Sequence, residues 1–199
     1  MKSLRIALWI AVFALAGVLV WLTLEVTQQK QDLAEGPFGV PFRLVAQDGS
    51  AITEQAFREK PTALFFGFTH CPEVCPTTLF ELNGWMHKVD PDGTKLNGYF
   101  VSVDPERDTP GVLGLYISNV TDRIKGISGP SADVLAMVKG YKVYAKKVPV
   151  DAADPDGDYT MDHTASVFLL DKGGRFAGTI AYGENPEAAE KKLANLFKG

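Results

Sequence analysis

The stretch Thr62-Ala63-Leu64-Phe65-Phe66-Gly67-Phe68-Thr69-His70-Cys71-Pro72-Glu73-Val74-Cys75-Pro76 decides how this chain folds. Its first seven residues are a nearly continuous apolar run, the pattern of a strand covered on both faces rather than one with a wet side. After Pro76 the apolar positions switch to helical spacing through Leu79, Leu82 and Met86. This predicts a helix with Pro76 as its first residue and Cys75 just before it, because proline's fixed φ and missing N–H suit that position. A buried strand that turns tightly into a helix is the unit of an α/β sheet. Both cysteines then sit at the carboxyl end of the strand, where such sheets collect their ligand sites.

Working outward, Phe42–Val45 reads as a short strand turning at Asp48-Gly49, and Asn97–Asp104 as a second buried strand. Thr109-Pro110 opens a helix through Leu113 and Ile117, and Ser131–Tyr144 is spaced as another. His163–Asp171 reads as a strand, Lys172-Gly173-Gly174 as a turn and Phe176–Ile180 as the hairpin partner. Asn185-Pro186 starts a last helix to Lys198, with Asn185 as its cap. Alternation first and a hairpin last predict a mixed sheet with helices on both faces.

The chain of 199 residues is long enough for one domain and an appendage, and 46% hydrophobic with 22% charged residues argues against wholesale disorder. The formal charge of −4 excludes a broadly basic nucleic-acid binder. That average hides a division. Ile6–Leu24 holds 19 residues without a charge, enough for a helix of about 28 Å, close to the hydrocarbon thickness of a bilayer. Lys2 and Arg5 precede the run and Glu25 follows it, which places the amino terminus in the cytoplasm. Ala14-Leu15-Ala16 resembles a signal-peptidase site, but Val18–Leu22 continues the apolar run beyond it, which favours an uncleaved anchor. No Arg/Ser-rich transit segment precedes the run, and the expectation is a bacterial cytoplasmic-membrane protein with its domain outside. The division expected is 1–24 anchor, 25–36 polar tether and 37–199 domain. Without Met1–Leu24 the chain keeps 18 basic and 24 acidic groups, a formal −6.

Two cysteines are too few for a disulfide scaffold, a four-cysteine zinc site or an iron–sulfur cluster. Four apart on a proline-stiffened turn, they can aim both sulfurs at one spot, and a helix start favours the thiolate. A structural disulfide is the plain alternative, although so small a loop removes little chain entropy. Two thiolates select soft metals, copper(I) above all, and one imidazole completes a three-coordinate set. Of three histidines, His87 reads as a solvated helix residue, and His70 should point away from its neighbour Cys71. His163 starts a strand that, if antiparallel to Thr62–Phe68, begins where the cysteine turn emerges. Asp151–Asp158 fails as a calcium loop, because Ala152 and His163 fall on its end ligand positions. It reads as a mobile acidic hairpin.

Three segments, Gly67–Leu79, Val103–Pro110 (VDPERDTP) and Asp162-His163-Thr164, resemble the signatures of the Sco/SenC family in order and spacing. The resemblance runs from about Pro37 to the carboxyl terminus. It implies a thioredoxin-like domain behind a membrane anchor, and a copper ion held by Cys71, Cys75 and His163. The implied role is a metallochaperone delivering copper to the CuA site of cytochrome c oxidase, with the copper-bearing subunit or another copper chaperone as partner and the domain monomeric. Asp104, Arg107 and Asp162 would support the ligands from outside, although Asp104 and Arg107 serve equally well as a strand-end cap and an ion pair. Phe168, Lys172 and Glu73 depart from the usual family residues without touching the ligand set. The competing readings are a thiol–disulfide oxidoreductase or peroxidase cycling through a Cys71–Cys75 disulfide, and a redox or copper sensor.

Overall fold

The structure is a computed structural model that describes Trp9 and residues 14–25, 36–154 and 157–198. The chain divides into two units, Met1–Gly36 and Pro37–Gly199. In the first, residues 14–25 are helical; the rest of the uncharged run before them, apart from Trp9, and residues 26–35 of the tether lie outside the described residues. Among the described residues, no helix is long and apolar enough to cross a membrane.

The second unit contains, in order, β1 (Arg43–Ala46), β2 (Ala51–Thr53), β3 (Thr62–Gly67), α1 (Val74–Val89), β4 (Asn97–Ser102), α2 (Pro110–Ser118), β5 (Ile124–Ser128), α3 (Ser131–Gly140), β6 (Ala145–Pro149), β7 (Tyr159–His163), β8 (Ser166–Leu170), β9 (Phe176–Ala181) and α4 (Pro186–Asn195). Seven strands make one sheet in the order β2-β1-β5-β4-β3-β8-β9. β3, β4 and β5 are parallel, and β1, β8 and β9 are attached antiparallel. β6 and β7 form a separate hairpin.

All six residues of β3 are buried, as its apolar run requires. Alternate residues face opposite layers. Phe65 meets Phe100 of β4, which meets Tyr116 of α2. Phe66 on the other face meets Tyr141, the residue after α3, and Phe168 of β8. α1 packs with α4 on the Phe65 side. Helices thus cover both faces, and each aromatic ring buried between layers contributes about 1.5–3 kcal/mol relative to exposure.

Four expectations shift. The helix after the cysteine turn begins at Val74, so Cys75 lies inside its first turn. The helix expected to reach Tyr144 ends at Gly140, and Lys142 turns to φ 59°. β5 was not foreseen, because Lys125 and Gly126 interrupt its apolar pattern. Gly126 is required there: a Cβ would stand 2.7 Å from Ile117 and 2.8 Å from Leu113. Finally, His163–Asp171 is not one strand. Thr164 and Ala165 break it, and His163 closes β7 in the separate hairpin while β8 begins at Ser166.

Candidate metal centre

Cys71 and Cys75 are held by the turn between β3 and α1. Cys71 N–H donates to the Phe68 carbonyl (3.3 Å), and Cys75 N–H donates to Cys71 Sγ (3.3 Å), so the helix start is aimed at the first sulfur. Cys75 is buried against the sheet, whereas Cys71 is partly exposed. Gly67 makes the approach possible, since a Cβ there would stand 2.7 Å from Cys75 Sγ and 2.6 Å from the Phe100 ring. Both sulfurs are free thiols.

His163 arrives from the other direction. β8 runs antiparallel to β3 with Phe65 opposite Val167, which puts the start of β8, and the end of β7 just before it, above the cysteine turn. His163 Nδ1–H donates to the Thr164 carbonyl (3.0 Å). A carbonyl can only accept, so the proton sits on Nδ1 and the Nε2 lone pair is turned inward. Nε2 lies 3.5 Å from Cys75 Sγ. The imidazole stands edge-on to Phe68 at 5.7 Å and to Phe65 at 6.3 Å, which walls one side of the site with apolar rings. The two sulfurs and an imidazole nitrogen lie within 4.8 Å of one another. Soft sulfur donors with a neutral imidazole suit a copper ion at this spacing.

The two thiols differ in acidity. Cys71 is lowered to about 4, chiefly because the Cys75 thiol donates to its thiolate, with the N–H groups of Cys75 and Glu73 adding to this against burial. Cys75 is pushed up by that same shared proton and by burial. One thiolate is therefore ready at neutral pH, and its partner keeps the proton until a metal displaces it.

Two braces flank the ligands. Asp108 is fully buried and takes hydrogen bonds from Thr69 N–H (3.1 Å), Thr69 Oγ1 (2.6 Å) and Ser102 Oγ (2.7 Å), while its carbonyl accepts from Ser128 Oγ. It ties the cysteine turn to β4 and β5. Burial pushes its carboxyl above the usual range, against the donated hydrogen bonds. The second brace holds the hairpin. Arg107 Nε donates to Asp104 (2.5 Å) and Nη1 to the Tyr159 carbonyl (2.9 Å), and Tyr159 Oη–H donates to Asp104 (2.9 Å). The guanidinium lies 3.8 Å over the Tyr159 ring, and Lys147 Nζ reaches it at 4.5 Å. Asp104 and Arg107 therefore join ion pair and hairpin brace in one cluster. Asp162, exposed and adjacent to His163 in β7, points to the opposite side of the strand.

The other histidines are elsewhere. His70 is exposed with Nδ1 3.1 Å from Thr69 Oγ1, and His87 pairs with Asp122 at 2.9 Å. Asp108 and Tyr159 were missed as supports by sequence reasoning. Tyr159 had a signal, being the only aromatic ring in the acidic run before Asp162, whereas Asp108 had none that separates it from its acidic neighbours.

A model of the SCO1/SenC family matches residues 30–198. The chain belongs to the SCO1/SenC family. Among its relatives, Protein SCO2, mitochondrial, from Saccharomyces cerevisiae is 36% identical over 156 residues, covering 78% of this chain and 51% of the relative. This chain spans about half the length of the first curated relatives it matches. The structure of Bradyrhizobium japonicum ScoI with copper bound is 45% identical with a TM-score of 0.72, covering 80% of this chain and 99% of that one. Yeast Sco1 with copper bound is 30% identical with a TM-score of 0.73, over 82% and 90%. The thioredoxin-like Sco fold is thus shared.

Proposed function

We propose that this SCO1/SenC chain is a membrane-anchored copper metallochaperone whose cargo is bound by Cys71, Cys75 and His163. The carrying observation is the convergence of two thiols and a lone-pair nitrogen within 4.8 Å at the carboxyl end of β3. Two of its relatives hold copper, as their structures state. Copper here is cargo: the sulfurs and the imidazole hold it as three soft to borderline donors, and a partner with similar donors takes it by ligand exchange. The accepting partner is the copper-bearing subunit of cytochrome c oxidase or another copper chaperone. The segment 1–24, with its uncharged run Ile6–Leu24, anchors the chain, 25–36 tethers it and 37–199 binds metal, outside a bacterial cytoplasmic membrane. Confining donor and acceptor to one surface raises their effective concentration.

A second reading rests on the turn that presents Cys71 beside Cys75 and on the lowered pKa of Cys71, which keeps a nucleophilic thiolate at neutral pH. Cys71 Sγ would attack a partner disulfide, releasing one partner thiolate, and Cys75 would then displace the other. Two electrons pass to the partner, and a Cys71–Cys75 disulfide remains.

Anaerobic copper(I) titration of the reduced chain against a competing chelator tests the first reading. One equivalent should bind, and Cys71→Ser should lose it. Unchanged affinity in that variant would exclude the site. Oxidised protein should bind weakly, because a disulfide removes both thiolates.

A further inference from the structure

The two ends of the central sheet differ in charge, and the chain enters at only one of them. β3, β4 and β5 are parallel, so their first residues lie together, and Leu170 at the end of β8 is paired with Thr62 at the start of β3. Residues just before these parallel strands and just after β8 therefore share the end opposite the cysteine turn. That end carries Lys60, Lys95, Lys125 and Lys172, all exposed, and Arg123. Two adjoining grooves meet at Lys60. One, of about 290 Å³, is lined also by Lys95 and Lys172; the other, of about 390 Å³, by Arg123 and Lys125.

Exposed carboxylates there are Asp48, Glu59, Asp92 and Asp122; Asp48 lies beside Lys125 and is held by Ser50, and Asp122 is engaged by His87. Buried Asp90 is paired with Arg123 at 3.2 Å. The four lysines form no ion pair among the described residues, while Lys88, Lys147 and Lys192 elsewhere pair with glutamates. The metal-site end is the more acidic of the two. Glu73, Glu106, Asp151, Asp154, Asp158 and Asp162 are exposed there, Lys147 is taken by Glu106, and Arg107 by Asp104.

The first residues of the second unit lie at this same end. Phe38 N–H donates to the Gly174 carbonyl (2.8 Å) in the turn after β8, and its ring packs on Phe168 and Phe176. Pro37, the first residue of the second unit, therefore lies at the lysine end.

We propose that this end, centred on Lys60, Lys95, Lys125 and Lys172, docks on anionic phospholipid headgroups and holds the metal site away from the bilayer. The proposal rests on the reading that the upstream apolar run is an anchor. Attraction to an anionic leaflet acts within a Debye length of it, and each lysine that reaches this zone raises the docked fraction about fivefold. The acidic end is repelled by the same field. The six-residue central strand alone then sets Cys71 and His163 about 20 Å from the headgroups, open to a partner.

The test is lysine acetylation of the full chain in nanodiscs, read residue by residue by mass spectrometry. In discs containing phosphatidylglycerol, Lys60, Lys95, Lys125 and Lys172 should be acetylated about fivefold more slowly than in phosphatidylcholine discs. Lys146 and Lys147 should be unchanged, and 0.5 M salt should abolish the difference. Lys60→Gln with Lys172→Gln should restore the acetylation of Lys95 and Lys125. Equal rates in both lipids, with the chain co-purifying on the discs, would overturn the docking. Protection that appears only on adding an acidic partner protein would overturn it in favour of a protein surface. A chain that fails to co-purify with either disc refutes the anchor reading, and the docking proposal falls with it, an outcome distinct from equal rates on co-purified discs.

Discussion

The cysteine turn and the β6–β7 hairpin meet at one site but are held by different forces. The turn is part of the core: β3 is buried throughout, Cys75 lies against Gly67 and Phe100, and Asp108 latches Thr69 from beneath. The hairpin is mostly exposed, and His163 is held in place through Tyr159, Arg107, Asp104 and Lys147. Packing energy fixes the sulfurs, while a few polar and cation–π contacts fix the imidazole. A donor that must release its cargo benefits from one ligand on the less stable element.

The strongest way to break this comparison is His163→Ala. Copper(I) affinity should fall about a hundredfold, as loss of one of three donors implies, while Cys71 alkylation by iodoacetamide stays within about threefold. Equal losses in both assays would mean that the imidazole organises the turn, and the division would fail.

Gly67→Ala attacks the turn through the core. Its Cβ would press on Cys75 Sγ and Phe100, and overpacking of this kind costs about 1–3 kcal/mol, measurable by urea unfolding under reducing conditions. A neutral result would show that the turn yields as easily as the hairpin.

Tyr159→Phe keeps the ring under Arg107 but removes the hydroxyl that donates to buried Asp104. Copper affinity should drop about tenfold, with little change in alkylation of Cys71. Unaltered affinity would relocate the support to the cation–π stack alone.

The smallest effect is on pH. Cys71 is depressed in the folded state, so its thiolate adds stability in full above its unfolded value near 9, and this is lost as pH falls toward about 4. Cys75 is raised, so its neutral form adds stability below 9 that is lost as pH climbs above it. Relative to Cys71→Ser, the reduced protein should gain unfolding free energy between pH 5 and 8. A flat difference across that range would show that the thiols share no proton.

Much of this was legible in the sequence because the signals were local. The β3 run, the helix spacing of Leu79, Leu82 and Met86, the helix start at Thr109-Pro110, the Asn185 cap and the β8–β9 turn all lie where their patterns put them. β5 was not legible, since Gly126 is a demand of Leu113 and Ile117 on a neighbouring helix and breaks the strand's own pattern. The break at Thr164-Ala165 was hidden for a similar reason. Its polar residues suit a strand end as well as a strand middle, and only the return of Tyr144 N–H to Thr164 Oγ1 and of Thr164 N–H to the Tyr144 carbonyl marks it.

By itself the sequence determined the strand–turn–helix unit, the two sulfurs four residues apart and the chemistry they favour, because these depend on neighbours along the chain. It also singled out His163 by residue type. Only the tertiary structure brought His163 Nε2 to 3.5 Å from Cys75, with its proton committed to Thr164, through antiparallel pairing across about a hundred residues. Parallel pairing of β3, β4 and β5, with antiparallel β8 beside them, gathered Lys60, Lys95, Lys125 and Lys172 at one end. Spacing along a chain sets which groups are available; strand direction and register set which of them meet.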